Sequence, residues 1–126
     1  GLVPIIEPEV DIHAIDKYDC ENLLRDNLRA QLASLDSELP VIFKLTLPET
    51  DNFYQEFCEH PKVLRVVALS GGYSREESNI KLSNNQGVIA SFSRALTEGL
   101  QAEQSTADFS AMLGSTVESI AAASAT

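Results

Sequence analysis

Residues 63–83 read VLRVVALSGGYSREESNIKLS, and this stretch decides the architecture of the chain. Val63 to Leu69 form a short apolar, β-branched run of strand length. Ser70-Gly71-Gly72 follows, with the small residues that suit a tight turn after a strand. Ser74 and Glu77, three residues apart, make a capping-box pattern that opens a helix through about Ser83. Asn84-Asn85-Gln86-Gly87 is the exit from that helix. Strand, turn and helix in this order constitute one βα unit.

The same alternation extends in both directions. Apolar runs at 2–6, 41–47 and 88–92 read as three further buried strands. The longest helix is expected over 16–35, where Leu23, Leu24, Leu28, Leu32 and Leu35 recur three or four apart and Asp16 stands at the start as a cap. Glu21, Arg25, Asp26 and Arg29 are expected on its solvent face. Pro40 closes the loop into the second strand, Pro48-Glu49-Thr50-Asp51 ends it, and a short helix over about 52–59 precedes Pro61. A helix begins near Ser93, and a last one spans 108–123, with the Ala- and Ser-rich tail from Ala121 expected to fray. Strands alternating with helices imply parallel βα units. No repeat beyond these units and no domain linker is visible, so residues 1–126 read as one partial domain.

Composition narrows the function classes. The chain has 126 residues, 19 acidic against 9 basic and a formal charge of −10. It offers no Lys/Arg cluster that could follow a phosphate backbone, which excludes nucleic acid as the expected partner. No apolar run approaches the ~18 residues of a membrane span, and no leader pattern is seen; the expected compartment is the cytoplasm. Cys20 and Cys58 stand in no metal-ligand spacing, and His13 and His60 are far apart, so neither a metal nor an organic cofactor is expected.

Strand alternation puts Ile42, Lys44 and Thr46 on one face and Phe43 and Leu45 on the other. On a strand alone, Lys44 reads first as a lysine snorkelling to solvent. If its face is the interior, burial disfavours the ammonium, and a neutral amine can attack a ketone to form a Schiff base. Glu7 and Glu9, two apart, share one strand face and read equally well as a solvated strand end or as a carboxylate pair exchanging protons in a confined site. Ser70, Gly71 and Gly72 lie between a strand and a helix, where backbone N–H groups and the helix N-terminus favour an anion. Arg94, just after the last strand, offers a planar fork suited to phosphate. Arg65, opposite Val66, Ala68 and Ser70, is expected to face the helix layer.

Four motifs in one order carry a resemblance: PIIEPE at 4–9, the strand lysine Lys44, LSGG-x-S-x-EE at 69–77 and SFSRAL at 91–96. This order resembles the C-terminal half of class I (Schiff-base) fructose-bisphosphate aldolases, nearest their bacterial form, along essentially the whole chain. The resemblance implies half of a (β/α)8 TIM barrel, strands five to eight, as four parallel βα units plus a C-terminal helix; a whole barrel takes roughly 250 residues. It implies Lys44 as the imine-forming lysine, Glu7 as the general acid/base and Glu9 as a supporting group. Ser70, Gly71, Gly72, Ser93 and Arg94 are implied to hold a substrate phosphate. Animal members carry glycine where this chain has Ser93, so a backbone contact there is the one point of departure. The family also uses an aspartate and a second lysine from the first half of the barrel, which this chain does not contain. The chain starts at Gly1, directly in a strand, and is therefore expected to be a fragment or one part of a split chain, with little or no activity alone. Its expected partners are a sugar phosphate and either the missing N-terminal half or a copy of itself, the parent being a homo-oligomer. The alternatives are a non-catalytic sugar-phosphate-binding half-barrel and another Schiff-base aldolase such as a transaldolase.

Overall fold

The computed structural model describes residues 1–36 and 39–126. The elements in chain order are β1 (Ile5–Ile6), α1 (Lys17–Ser34), β2 (Val41–Thr46), α2 (Gln55–Cys58), β3 (Val63–Leu69), α3 (Arg75–Ser83), β4 (Val88–Ala90), α4 (Arg94–Thr97) and α5 (Thr106–Ala123). The four strands form one sheet in the order β1-β2-β3-β4, every pairing parallel. Each strand is followed by a helix, and α5 closes the chain. Four parallel βα units with a terminal helix are the arrangement of half a (β/α)8 barrel.

One sheet face is covered and the other open. Val41, Phe43, Leu45, Val66 and Ala68 are each at most 5% exposed and pack beneath Leu28, Leu32, Phe57, Leu82 and Ile120 of the helices. Phe43 and Phe57 meet edge to face, their centroids 5.4 Å apart, a geometry favoured by the ring quadrupoles. Ile42 and Lys44 alternate onto the opposite, half-open face. Which face is covered thus follows from period-two patterning, because only one face of β2 is apolar enough to pay for covering by helices.

The capping box of α3 forms as the sequence implies: Ser74 Oγ accepts from the Glu77 backbone N–H, and the Glu77 carboxylate accepts from that of Ser74. Four other details differ from the sequence reading. Asp16 sits at the start of α1 without a side-chain capping hydrogen bond. Leu23 is 67% exposed, leaving Leu28 and Leu32 as the buried seam of α1. Glu21, expected in solvent, is fully buried. The start of α1 lies against the loop after β2, where the Leu47 carbonyl requires a donor; the Lys17 ammonium supplies it at 3.0 Å and pairs with the Glu21 carboxylate. Helix α5 also runs on through the expected frayed tail to Ala123, itself buried, because Ser124 folds back and its Oγ accepts the outward N–H of Ala90 at 3.1 Å.

Arg65 is a further correction. A register shift at Val41/Ile42 aligns Ile42 with Arg65 and Lys44 with Val67, so Arg65 stands exposed on the open face with Lys44. The alternation that sets Arg65 opposite Val66, Ala68 and Ser70 holds, but Val66 and Ala68 are the side buried under the helices, so the side opposite them is the open face.

Candidate active site

Pairing of β1 with β2 sets Ile5 beside Ile42 and Ile6 beside Phe43. Continued one step, that register brings Glu7 alongside Lys44. The Lys44 ammonium donates to Glu7 Oε2 at 2.9 Å, with the lysine side chain 24% exposed. An amine so placed is neither in the dry core nor in free water. Its proton has an acceptor already in contact, and the covered face of β2 holds the strand rigid beneath it.

The segment after β1 is fastened across the sheet. Val10 N–H donates to Thr46 Oγ1 at 2.9 Å, and the same hydroxyl donates back to the Val10 carbonyl at 3.0 Å. This reciprocal pair fixes the backbone that carries Glu7 and Glu9. Further along, Ile12 reaches the Gly-Gly turn. A Cβ on Gly71 would lie 2.8 Å from Ile12 Cγ2, and Gly71 has φ +65°. Glycine is needed there for two independent reasons, conformation and space. Gly71→Ala is therefore expected to lower stability by about 1–3 kcal/mol; a urea midpoint equal to that of the parent chain would refute this account of the turn.

A cleft of about 200 Å³ gathers Glu7, Glu9 and Lys44 with Leu69, Ser70, Gly71, Ser91, Ser93 and Arg94. Each sheet strand delivers its share from the C-terminal end. Glu7 and Glu9 follow β1, Lys44 lies in β2, Ser70 and Gly71 follow β3, and Ser93 and Arg94 follow β4. Gly72 falls outside this cleft. It lines a neighbouring hollow with Tyr73, Ser74 and Glu77, and Arg94 borders both. Arg94 is 69% exposed on its side chain and lies 3.9 Å from Glu9 Oε1, a loose contact that leaves most of its donors to water.

The helix behind the turn contributes less than its position promised. Ser74 N–H donates to Glu77 Oε2 at 3.0 Å and Arg75 N–H to Glu98 Oε2 at 2.7 Å. Two carboxylates thus occupy the start of α3, which leaves Ser70, Gly71 and Arg94, and not the helix terminus, as the groups on this side of the cleft able to face an anion. Sequence reasoning also missed Ser91, Thr46 and Ile12. Ser91 was findable as the first residue beyond the last strand, in the same short motif as Ser93 and Arg94. Thr46 and Ile12 act through contacts made across 34 or more intervening residues, for which local pattern holds no signal.

No protein-family model matches the chain. Among curated proteins, the "Fructose-bisphosphate aldolase class 1" of Porphyromonas gingivalis is 57% identical over 124 residues, 98% of this chain and 42% of the relative. The protein of the same name from Synechocystis sp. is 58% identical over 126 residues, the whole of this chain and again 42% of the relative. The chain is similar, end to end, to part of a class 1 aldolase. It spans about two fifths of the length of these relatives. The aldolase-like chain accordingly presents half a barrel, with its charged cleft at the C-terminal ends of the strands, the face on which barrel enzymes place their sites.

Proposed function

We propose that this chain is a single partial domain, the C-terminal half of a class I fructose-bisphosphate aldolase, and that the whole barrel cleaves fructose 1,6-bisphosphate reversibly into dihydroxyacetone phosphate and glyceraldehyde 3-phosphate. The observation that carries the reading is the Lys44–Glu7 contact of 2.9 Å inside the cleft that also holds Ser70, Gly71 and Arg94. Lys44 passes a proton to Glu7, and its amine adds to the ketone carbon. Glu7 returns a proton to the carbinol hydroxyl, which leaves as water and yields the iminium. That cation takes up the electron pair of the breaking C–C bond as a base removes the proton of the adjacent hydroxyl, releasing the aldehyde and leaving an enamine. Protonation of the enamine carbon and hydrolysis free the ketone and Lys44.

Glu9 holds Arg94 near the cleft until an anion displaces it. Ser70, Gly71, Gly72, Ser93 and Arg94 hold a substrate phosphate, with Gly72 reaching it from the far side of Arg94. No metal or organic cofactor enters this scheme. The partner of the chain is the remainder of the barrel. Two apolar grooves support this, one of about 390 Å³ beside β1 lined by Ile6, Leu28, Val41 and Phe43, the other of about 490 Å³ beside β4 lined by Ile89, Phe92, Val117 and Ile120. They flank the two strands that have a neighbour on one side only, and exposed sheet edges invite pairing. Self-association of the chain and a homo-oligomeric parent belong to the same reading, as does a cytoplasmic setting. Among the described residues no helix is long and apolar enough to cross a membrane.

Cleavage assays on the isolated chain and on the chain joined to the rest of its barrel test the proposal. The isolated chain is expected to be inert, because positioning and proton-transfer groups from the other strands are absent. In the joined protein Glu7→Gln is expected to lower turnover by about 10²–10⁴-fold. Turnover by the isolated chain, or an active Glu7→Gln, contradicts it.

A further inference from the structure

The Gly-Gly turn is tied to the core by a chain of charges that the aldol scheme does not use. Lys17, only 4% exposed, donates to the Leu47 carbonyl at 3.0 Å and pairs with the buried carboxylate of Glu21 and, at 3.1 Å, with Glu49 Oε1. The backbone N–H of Glu49 donates to Glu21 Oε2 at 3.1 Å, so Glu49 is held at main chain and side chain alike. From there the link crosses to the turn after β3: the Tyr73 hydroxyl donates to Glu49 Oε1 at 3.1 Å. Tyr73 follows Gly72 directly, and its N–H closes the turn on the Ser70 carbonyl at 3.0 Å.

We propose that Lys17, Glu49 and Tyr73 form a positioning strut that sets the Gly71-Gly72 turn for a phosphoryl group; the inference rests on the phosphate-cradle reading above. Gly71 and Gly72 have φ of +65° and +120°, conformations with no side chain of their own to hold them. A glycine pair is the most freely varying backbone in a chain, and amides must be aimed before an anion arrives if binding is not to bear the ordering cost. Ile12 fills the space on one side of the turn. Tyr73 fixes the other, and it is the first residue after the turn with a side chain long enough to reach the loop after β2.

The electrostatics keep the strut in one state. Burial works against charge on Glu49, but the hydrogen bond and charge of Lys17, with Lys81 and Tyr73 adding to them, hold its carboxyl below the usual range. Burial, followed by the hydrogen bond to Glu49, pushes the Tyr73 hydroxyl above its ordinary value, so it remains a donor. Lys81 contributes by a different route, lying 5.0 Å above the Tyr73 ring and 3.8 Å from Glu49.

The test is titration of the 126-residue chain with inorganic phosphate, following the ¹⁵N–¹H resonances of Gly71 and Gly72. The parent chain is expected to show saturable shifts at both. Tyr73→Phe, which keeps the ring and removes the donor, is expected to bind phosphate about tenfold more weakly, the scale of one charge-assisted hydrogen bond. Glu49→Gln weakens it in the same direction, and the double variant is no worse than Tyr73→Phe alone, as expected of one coupled unit. Lys81→Met, whose contact with Glu49 is the longer one at 3.8 Å, weakens binding less than either single variant. Parent-like affinity in Tyr73→Phe, additive losses in the double variant, or equal weakening by Lys81→Met overturns the strut and leaves the cradle standing. Absence of any shift at Gly71 and Gly72 in the parent overturns the cradle and the strut together.

Discussion

Sodium borohydride added with dihydroxyacetone phosphate to the complete barrel is expected to fix the ketone on Lys44 stoichiometrically, and on no residue of a Lys44→Ala variant. Reduction converts the C=N bond to a stable secondary amine, so only a lysine that has reached the iminium is marked. The geometry favours Lys44 over the other lysines of the chain on specific grounds. Lys17 is committed to Glu21, Glu49 and the Leu47 carbonyl. Lys62 donates to the Leu32 and Leu35 carbonyls at the end of α1. Lys81 lies over Tyr73 on the helix side. Lys44 alone among these four lines the cleft with Glu7 and Arg94. Peptide mapping reads the result, and a mark that persists in Lys44→Ala, or one carried by Lys17, Lys62 or Lys81, removes Lys44 from the mechanism.

The second large effect is on stability. Lys17→Met is expected to cost about 3–5 kcal/mol, since it leaves the carboxylate of Glu21 buried without its cation. That is a large share of the ~5–15 kcal/mol by which a domain is stable. The Leu47 carbonyl loses its donor in the same substitution. Lys17→Met combined with Glu21→Leu removes both charges at once and is expected to be distinctly more stable than Lys17→Met alone, although the Glu49 N–H then lacks its acceptor. Urea unfolding of the three proteins decides the matter. A double variant as unstable as the single one would falsify the claim that the isolated buried charge is what hurts.

Most of the architecture was readable because its signals are local. The run from Val63 to Leu69, the small residues of the turn and the Ser74/Glu77 spacing each specify their own neighbourhood, and the structure forms strand, turn and capped helix there. The facing of Lys44 was readable for the same reason, through its alternation with Phe43 and Leu45. Glu21 and Arg65 mark where locality fails. A helical wheel assigns Glu21 to water, but the carbonyl of Leu47 and the ammonium of Lys17, brought there by the fold, make a buried carboxylate tolerable. Alternation assigns Arg65 only relative to its neighbours, and the shift at Val41/Ile42 decides which face that is.

The site divides along the same line. Sequence alone put forward the side chains proposed for the chemistry and their order along the chain, with residue type and spacing supplying the candidates and the resemblance their proposed roles. It also determined that β2 has one face for helices and one for the cleft. Tertiary structure decided that Glu7 touches Lys44, that Glu98 joins Glu77 at the start of α3, that Gly72 lies across Arg94 from the amine, and that Tyr73 is braced on Glu49 and Lys17. Each of these joins residues 23 to 37 positions apart, or spans three elements at once. Such contacts depend on strand register and helix packing, which are set by burial summed over the whole sheet and are written in no single segment.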